Sequence, residues 1–331
     1  MQNVILSGIQ SSGKLHLGNL FGAVLNWVNL QNEYKCYYFI ADLHSLTGSL
    51  EKYKNIKEYR KNIILNLLAF GIDPEKSVLF IQSQVPEHTQ LHLILSMLTP
   101  LPWLERNPTY KDKILETKNK DLNNYGFLGY PILQAADIIL YKANKVPVGE
   151  DQLPHLELAR EIVRRFNNNF GEVFPEPQPL LTRVPKIPGL DGRKMSKSFN
   201  NAIYLDDEEK TVNKKVMQLI TDPQRIHLKD KGHPDICNSF VLHKAFSSDE
   251  EMQDLRNQCE SASIGCVQCK KNLGQKINSY LAPHHEKREE LKKNMSYVED
   301  VIAEGNKLAK EKAQTTIREV YQKVGLEYNG L

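Results

Sequence analysis

Val4-Ile5-Leu6-Ser7-Gly8-Ile9-Gln10-Ser11-Ser12-Gly13-Lys14-Leu15-His16-Leu17-Gly18-Asn19 decides how the rest of this chain is read. Val4-Ile5-Leu6 is a short apolar strand ended by Gly8, and the ten residues from Gln10 open a helix directly behind it. A helix start offers unpaired amides and the positive end of the helix dipole, both suited to phosphate. Gly18 lets a nucleotide approach the backbone, where a side chain would obstruct it. His16 and Asn19 add hydrogen-bond donors for phosphate oxygens. The plainer alternative is a surface histidine beside a polar helix cap.

Working outward, residues 20–30 carry Leu20, Val24, Trp27 and Val28 at helical spacing, and Cys36-Tyr37-Tyr38-Phe39-Ile40 is a continuous apolar run of buried-strand type. Residues 53–70 form an amphipathic helix closed by Gly71. Val78-Leu79-Phe80-Ile81 is a third strand and Lys145-Val146-Pro147-Val148 a fourth. Strands alternating with helices predict an α/β, Rossmann-like parallel sheet. In such sheets ligands sit at the carboxyl ends of the strands, where both Gln10 and Gly149-Glu150-Asp151-Gln152 fall. Prolines at 175, 177, 179, 185 and 188 read as a linker. After Ala202 strand signals nearly vanish, and 206–220, 250–259, 267–281 and 297–324 are helix-compatible. The expected division is a Rossmann-like domain over 1–190 and a mostly α-helical domain over 191–331.

The chain of 331 residues, 40% hydrophobic and 25% charged, has the composition of a soluble globular protein with a sizeable core. A formal net charge of +3 permits a nucleic-acid partner without requiring one. No apolar run reaches membrane-spanning length, and residues 1–7 lack the basic start and apolar stretch of a signal peptide. Five cysteines in a chain this size argue against a disulfide framework. A cytoplasmic enzyme is the class these features fit.

Three further segments carry chemistry. Lys194-Met195-Ser196-Lys197-Ser198 sets two lysines three apart among small and flexible residues. Alone it is either a solvated turn or a mobile loop that closes on a polyanion. Tyr130-Pro131-Ile132-Leu133-Gln134-Ala135-Ala136-Asp137 starts with proline at the first helical turn, and Tyr130, Gln134 and Asp137 share one face. A buried carboxylate is costly unless bound, so Asp137 needs a partner. That partner is either structural or a ligand donor such as an indole nitrogen, which can only donate. Cys237, Cys259, Cys266 and Cys269, with 21, 6 and 2 residues between neighbours, suit a structural zinc, an iron–sulfur cluster, or merely buried free thiols.

The Lys194 loop paired with His16-Leu17-Gly18-Asn19 resembles the signature pair of class I aminoacyl-tRNA synthetases, with Asn19 where the family pattern ends in histidine. Ser7-Gly8-Ile9-Gln10, the stretch from Tyr130 to Asp137, and Val146-Pro147-Val148-Gly149-Glu150-Asp151-Gln152 resemble bacterial and organellar tryptophanyl-tRNA synthetases, and the likeness covers nearly the whole chain. The resemblance implies ATP-driven activation of L-tryptophan with Mg2+, charging of tRNA(Trp), and a homodimer without membrane attachment. It implies Lys194, Lys197, His16 and, in Pro108-Thr109-Tyr110-Lys111, Lys111 as catalytic groups. An amino-acid carboxylate is already an anion, so its attack on the α-phosphorus needs alignment and cations but no general base. ATP contacts would come from Gln10, Ser11, Ser12, Gly18, Asn19, Gly149, Glu150, Asp151 and Ile187, together with Met195, Ser196, Ser198 and the two loop lysines. Asp137 would meet the indole, Tyr130 and Gln152 the amino group, and Gln134 and His44 would line the tryptophan pocket. Gln134 departs from the methionine common in bacterial tryptophan enzymes.

Tyrosine enzymes share the fold but usually carry a Gly-Phe-Asp type first loop. Tyrosyl specificity is one alternative; a nucleotide-binding paralogue that lost tRNA charging is another. The segment from Ser261 to Lys271 resembles a subgroup whose cysteines ligate a [4Fe–4S] cluster beside the anticodon-binding region, with zinc as the alternative. In that subgroup the first cysteine gap is one residue longer. Lys292, Lys293, Lys307, Lys310 and Lys312 are either tRNA phosphate contacts or a solvated helix face.

Overall fold

Strand β1 (Val4–Gln10) runs parallel to β2 (Lys35–Ala41), and β2 to β3 (Ser77–Ile81). The computed structural model describes residues 3–47, 50–107, 110–111, 124–181 and 187–327; Pro108, Thr109 and Pro185 lie outside them. Strands β4 (Lys145–Val148) and β5 (Gln178–Leu181) complete a five-stranded parallel sheet ordered β3-β2-β1-β4-β5. The chain thus moves outward from β1 to β3, then crosses back to lay β4 on the other side of β1. That reversal opens a crevice at the carboxyl ends of β1 and β4.

Strand alternation sorts side chains into two cores. Ile5, Ile9, Tyr38 and Ile40 face one, and Leu6, Tyr37 and Phe39 the other. Tyr38 stacks on Trp27 with ring centroids 4.7 Å apart and donates its hydroxyl to the Trp27 carbonyl at 2.9 Å. Gly8 does not end β1, as its sequence suggests. A Cβ there would come 2.4 Å from the Phe39 ring, so glycine makes room for an aromatic side chain of the next strand.

Helix α1 follows the first loop as Leu17–Asn19, a π-helical Leu20–Val24 and Leu25–Leu30. After β2 come the short α2 (Asp42–Thr47) and α3 (Ile56–Ala69), whose chain reverses at Gly71 with φ +101°. Helices α4 (Glu87–Leu98), α5 (Leu101–Glu105), α6 (Tyr125–Leu140) and α7 (Leu153–Phe170) cover the sheet. Two expectations need correction. Pro131 lies inside α6 rather than in its first turn, because Asn124 caps the helix earlier by accepting the Phe127 N–H. The proline-rich stretch is no simple linker, since it contains β5; Pro179 is tolerated there because β5 is an edge strand.

Beyond residue 190 the structure is helical: α8 (Glu209–Met217), α9 (Asn238–His243), α10 (Asp249–Glu260), α11 (Cys266–Lys293) and α12 (Met295–Val324). The last helix returns to the sheet. Gly305 lies so close to β3 that a Cβ would sit 1.9 Å from the Leu79 carbonyl oxygen, and Asn306 Oδ1 accepts the Ile81 N–H at 2.9 Å. Ala309, Ala313, Ile317 and Val320 join the core that holds Tyr37 and Phe80. The open edge of β3 is thereby covered. Among the described residues no helix is long and apolar enough to cross a membrane.

Candidate active site

The first loop and the Lys194 loop meet at the crevice, although 177 residues lie between His16 and Lys194. Main-chain bonds join their flanks: Leu17 N–H donates to Ile203 O at 3.0 Å, and Leu205 N–H to Leu15 O at 2.9 Å. Gly13 adopts φ +147°, and its carbonyl accepts Lys197 Nζ at 3.0 Å. A Cβ at Gly18 would come 3.0 Å from the His16 ring and 3.6 Å from Met195 Cβ. His16 is buried, and Asn19 Oδ1 caps its backbone N–H at 3.1 Å. Burial, aided by the nearby Lys197 charge, lowers the His16 pKa to about 4. The imidazole is therefore uncharged at neutral pH, with a buried Nδ1 that has no hydrogen-bond partner among the described residues.

The Lys194 loop is anchored at its ends, with Lys194 exposed and Lys197 half-buried. Met195 is buried and donates its N–H to Ile187 O at 3.3 Å, so Ile187 supports the loop from beneath. Ser196 N–H donates to Asn201 Oδ1 at 2.8 Å, and Ser196 Oγ accepts the Ser198 N–H at 3.2 Å. Asn201, which the sequence reading did not single out, also donates to Asp191 at 2.7 Å and to Lys194 O at 3.3 Å. The signal available was an asparagine three residues beyond the motif, too common to stand out. Lys194 Nζ lies 3.7 Å from Asp151 with both side chains exposed, a contact worth little in water. It nonetheless places the loop beside the turn after β4. In that turn Gly149 admits Asp151, whose Oδ1 would be 2.8 Å from a Cβ there, and Gln152 Nε2 donates to Asp151 at 3.3 Å. Glu150 and Gln10 are exposed at the same edge, Ser12 is half-buried, and Ser11 is buried with its hydroxyl 3.0 Å from that of Ser45. Lys111 is exposed; its N–H donates to Asn107 O at 3.2 Å, and among the described residues no contact ties its side chain to these loops.

Asp137 lies deeper, 1% exposed on α6. Four hydrogen bonds converge on its carboxylate. Oδ1 accepts from Gln82 Nε2 at 2.8 Å and His88 Nδ1 at 2.6 Å; Oδ2 accepts from His44 Nε2 at 2.8 Å and Gln82 Nε2 at 3.0 Å. Burial alone would raise this carboxyl, but the His44 charge and the bonds from His44 and His88 outweigh it and lower the pKa to about 2. Asp137 is thus an anion at any ordinary pH. Gln82 and His88 are further residues that sequence reading missed. A buried carboxylate signalled that partners exist, but not which distant side chains they are. Tyr130 and Gln134 are half-buried on the same helix, and the Tyr130 hydroxyl lies 2.6 Å from His155 Nε2.

The four late cysteines gather away from this crevice. Cys237, Cys259, Cys266 and Cys269 line one cavity of about 20 Å³ with Thr221, Asp222, Arg225, Phe240, Leu255 and Ile264. Gly232 makes space for Cys259, since a Cβ there would be 2.3 Å from its sulfur. Burial raises the thiol of Cys259 and pushes that of Cys269 up to about 11. All five cysteines are free thiols, and Cys36 stands apart in β2. Among the described residues, no group of three or more His, Cys, Asp or Glu side chains is drawn together closely enough to hold a metal ion.

Residues 2–282 match the family described as tRNA synthetases class I (W and Y). The chain is 49% identical to a tryptophan–tRNA ligase of Thermotoga maritima, over 98% of this chain and 99% of that one. It is 43% identical to the tryptophan–tRNA ligase of Aquifex aeolicus, over 97% and 99%. Among solved structures, tryptophanyl-tRNA synthetase from Campylobacter jejuni complexed with ADP and tryptophan superposes with a TM-score of 0.88 at 36% identity, covering 98% of this chain and all of that one. The chain belongs to the class I tRNA synthetases for tryptophan and tyrosine, in the branch of the tryptophan–tRNA ligases.

Proposed function

We infer that the chain activates L-tryptophan with ATP to tryptophanyl-adenylate and transfers it to tRNA(Trp), releasing AMP and pyrophosphate. The observation that carries this reading is the buried Asp137 anion beside a crevice where a two-lysine loop docks on the first loop. An acceptor-only group suits an indole N–H, and the full-length likeness to tryptophan enzymes fits tryptophan better than tyrosine. Charging of tRNA(Trp) with tryptophan, and its absence when tyrosine is supplied instead, tests it.

In this reading Tyr130 and Gln152 take the amino group, while Gln134 and His44 line the indole pocket. The tryptophan carboxylate attacks the α-phosphorus of ATP, and pyrophosphate leaves. Lys194, Lys197 and Lys111 offset charge on the phosphates, and His16, uncharged, donates a hydrogen bond without repelling the lysines. Gln10, Ser11, Ser12, Gly18, Asn19, Gly149, Glu150, Asp151, Ile187, Met195, Ser196 and Ser198 shape the nucleotide site. Mg2+ would accompany the phosphates and supply further positive charge.

The four cysteines are assigned to a [4Fe–4S] cluster. Support comes from four free thiols lining one cavity in an apolar setting, a donor set that thiophilic metals favour. Because the described side chains are not drawn together closely enough to hold a metal as they stand, the four thiols must rearrange on loading. When bound, the cluster would cross-link α9, α10 and α11; amino-acid activation moves no electrons. For tRNA, Lys292 and Lys307 are engaged by Glu289 and Glu304 and Lys312 is half-buried, so Lys293 and Lys310 are the better phosphate contacts. Leu93, Met97, Leu101 and Tyr125, all exposed on α4 to α6, are the surface assigned to a homodimer. The helical residues from 191 onward form the anticodon-reading part, with α12 tying it to the catalytic part over 1–190. The cytoplasm, which keeps thiols reduced, is the assigned compartment.

A further inference from the structure

His88 is fully buried and held from both ends. Its Nδ1 lies 2.6 Å from Asp137 Oδ1 and its Nε2 lies 2.8 Å from the Tyr141 hydroxyl. Both neighbours are also buried, at 1% and 0% exposure. The rings of Phe80, Phe39 and Tyr141 surround the imidazole, with centroids 6.0, 6.1 and 5.5 Å away. A carboxylate can only accept, so Nδ1 carries the hydrogen that faces it, and Nε2 shares a hydrogen bond with the Tyr141 hydroxyl. Burial, followed by the nearby Asp137 charge, raises the Tyr141 phenol well above its ordinary value, so the hydroxyl stays protonated. The result is a fixed chain of hydrogen bonds linking Tyr141, His88 and Asp137. His44, by contrast, sits on the six-residue α2.

We propose that His88, held in orientation by Tyr141, positions the Asp137 carboxylate and thereby sets the enzyme's preference for a ring that donates an N–H. This rests on Asp137 being the indole acceptor. Binding selectivity of this kind is lost when a polar group shifts by a fraction of an ångström, so the anchor matters as much as the acceptor. His88 acts through Asp137 and is a positioning residue.

The test compares tryptophan with 3-benzothienyl-L-alanine, in which sulfur replaces the N–H, by amino-acid-dependent pyrophosphate exchange. His88→Leu is expected to lower kcat/KM for tryptophan about ten- to a hundredfold, mainly through KM, and to leave the analogue nearly unchanged. The KM for ATP should stay put. His88→Asn, whose amide places a donor where Nδ1 stood, should restore most of the preference, and Tyr141→Phe should fall between. In an Asp137→Asn background, His88→Leu should have no further effect on the preference. The proposal is overturned if His88→Leu and Tyr141→Phe keep the wild-type preference, lose both amino acids equally, or act undiminished without the Asp137 carboxylate. Should thermal unfolding show that His88→Leu does not fold, Tyr141→Phe with an intact preference overturns it alone. If Asp137→Asn itself leaves the preference intact, the indole-acceptor reading falls and takes the positioning role with it. If Asp137→Asn destroys the preference while the His88 and Tyr141 variants do not, only the positioning role falls.

Discussion

Replacing Lys197 by alanine isolates the cation that joins the two loops. In the resting enzyme Lys197 Nζ donates to the Gly13 carbonyl at 3.0 Å, from a half-buried position. Losing one such bond costs about 0.5–1.5 kcal/mol of stability, too little to unfold the domain. The catalytic loss should be larger. A positioned charge that meets the developing negative charge is worth about 2.7–4 kcal/mol, or a hundred- to a thousandfold in rate. Because the contact strengthens only in the transition state, kcat and kcat/KM should fall together while the KM for tryptophan changes little. Single-turnover formation of tryptophanyl-adenylate reads the activation step directly. A second signal comes from His16, whose pKa of about 4 reflects burial first and the Lys197 charge second. In Lys197→Ala its imidazole resonance should titrate at higher pH, yet still below the ordinary 6.5 because burial remains. Normal adenylate formation in a folded Lys197→Ala enzyme would refute the catalytic role and reduce the loop to a connector.

Asp137→Asn turns one acceptor oxygen into a donor facing buried N–H groups. It should raise the tryptophan KM about ten- to a hundredfold by steady-state pyrophosphate exchange and lower the midpoint of thermal unfolding; unchanged values for both would return the residue to neither role. Gly305→Ala must push α12 off the Leu79 carbonyl and should cost about 1–3 kcal/mol in urea unfolding, so wild-type stability would contradict the close packing on β3. Anaerobically purified protein should be brown, with broad absorbance near about 400 nm and about four iron per chain. A colourless protein with one zinc would sink the cluster but keep the cysteine ligands, and a metal-free protein with four alkylatable thiols would sink both.

Local features of the sequence were read with little loss. The apolar runs in β2 and β3, the Gly71 reversal and the helix-opening loop at His16 depend on neighbours within a few residues, and each stands where its pattern places it. What failed was set by distant partners. Gly8 looks like a strand end until the Phe39 ring fills the space beside it. Pro179 looks like linker until β4 supplies a partner on one side only. The 297–324 helix was legible as a helix, but nothing in its periodicity says that Gly305 and Asn306 seal the sheet edge. At the site, the two loops could be paired because each carries its own motif. Gln82 and His88 could not be found as Asp137 partners, since they lie 55 and 49 residues away, Gln82 in a turn after β3 and His88 on α4.

The most direct measurement is amino-acid-dependent exchange of pyrophosphate into ATP, run separately with each of the twenty amino acids and without tRNA. A buried carboxylate acceptor, in a fold whose two-lysine loop docks on the first loop, should support exchange with tryptophan alone, and tyrosine should give no signal above the amino-acid-free blank. Exchange driven by tyrosine, or no exchange with any amino acid, would contradict assignment of this site to tryptophan activation.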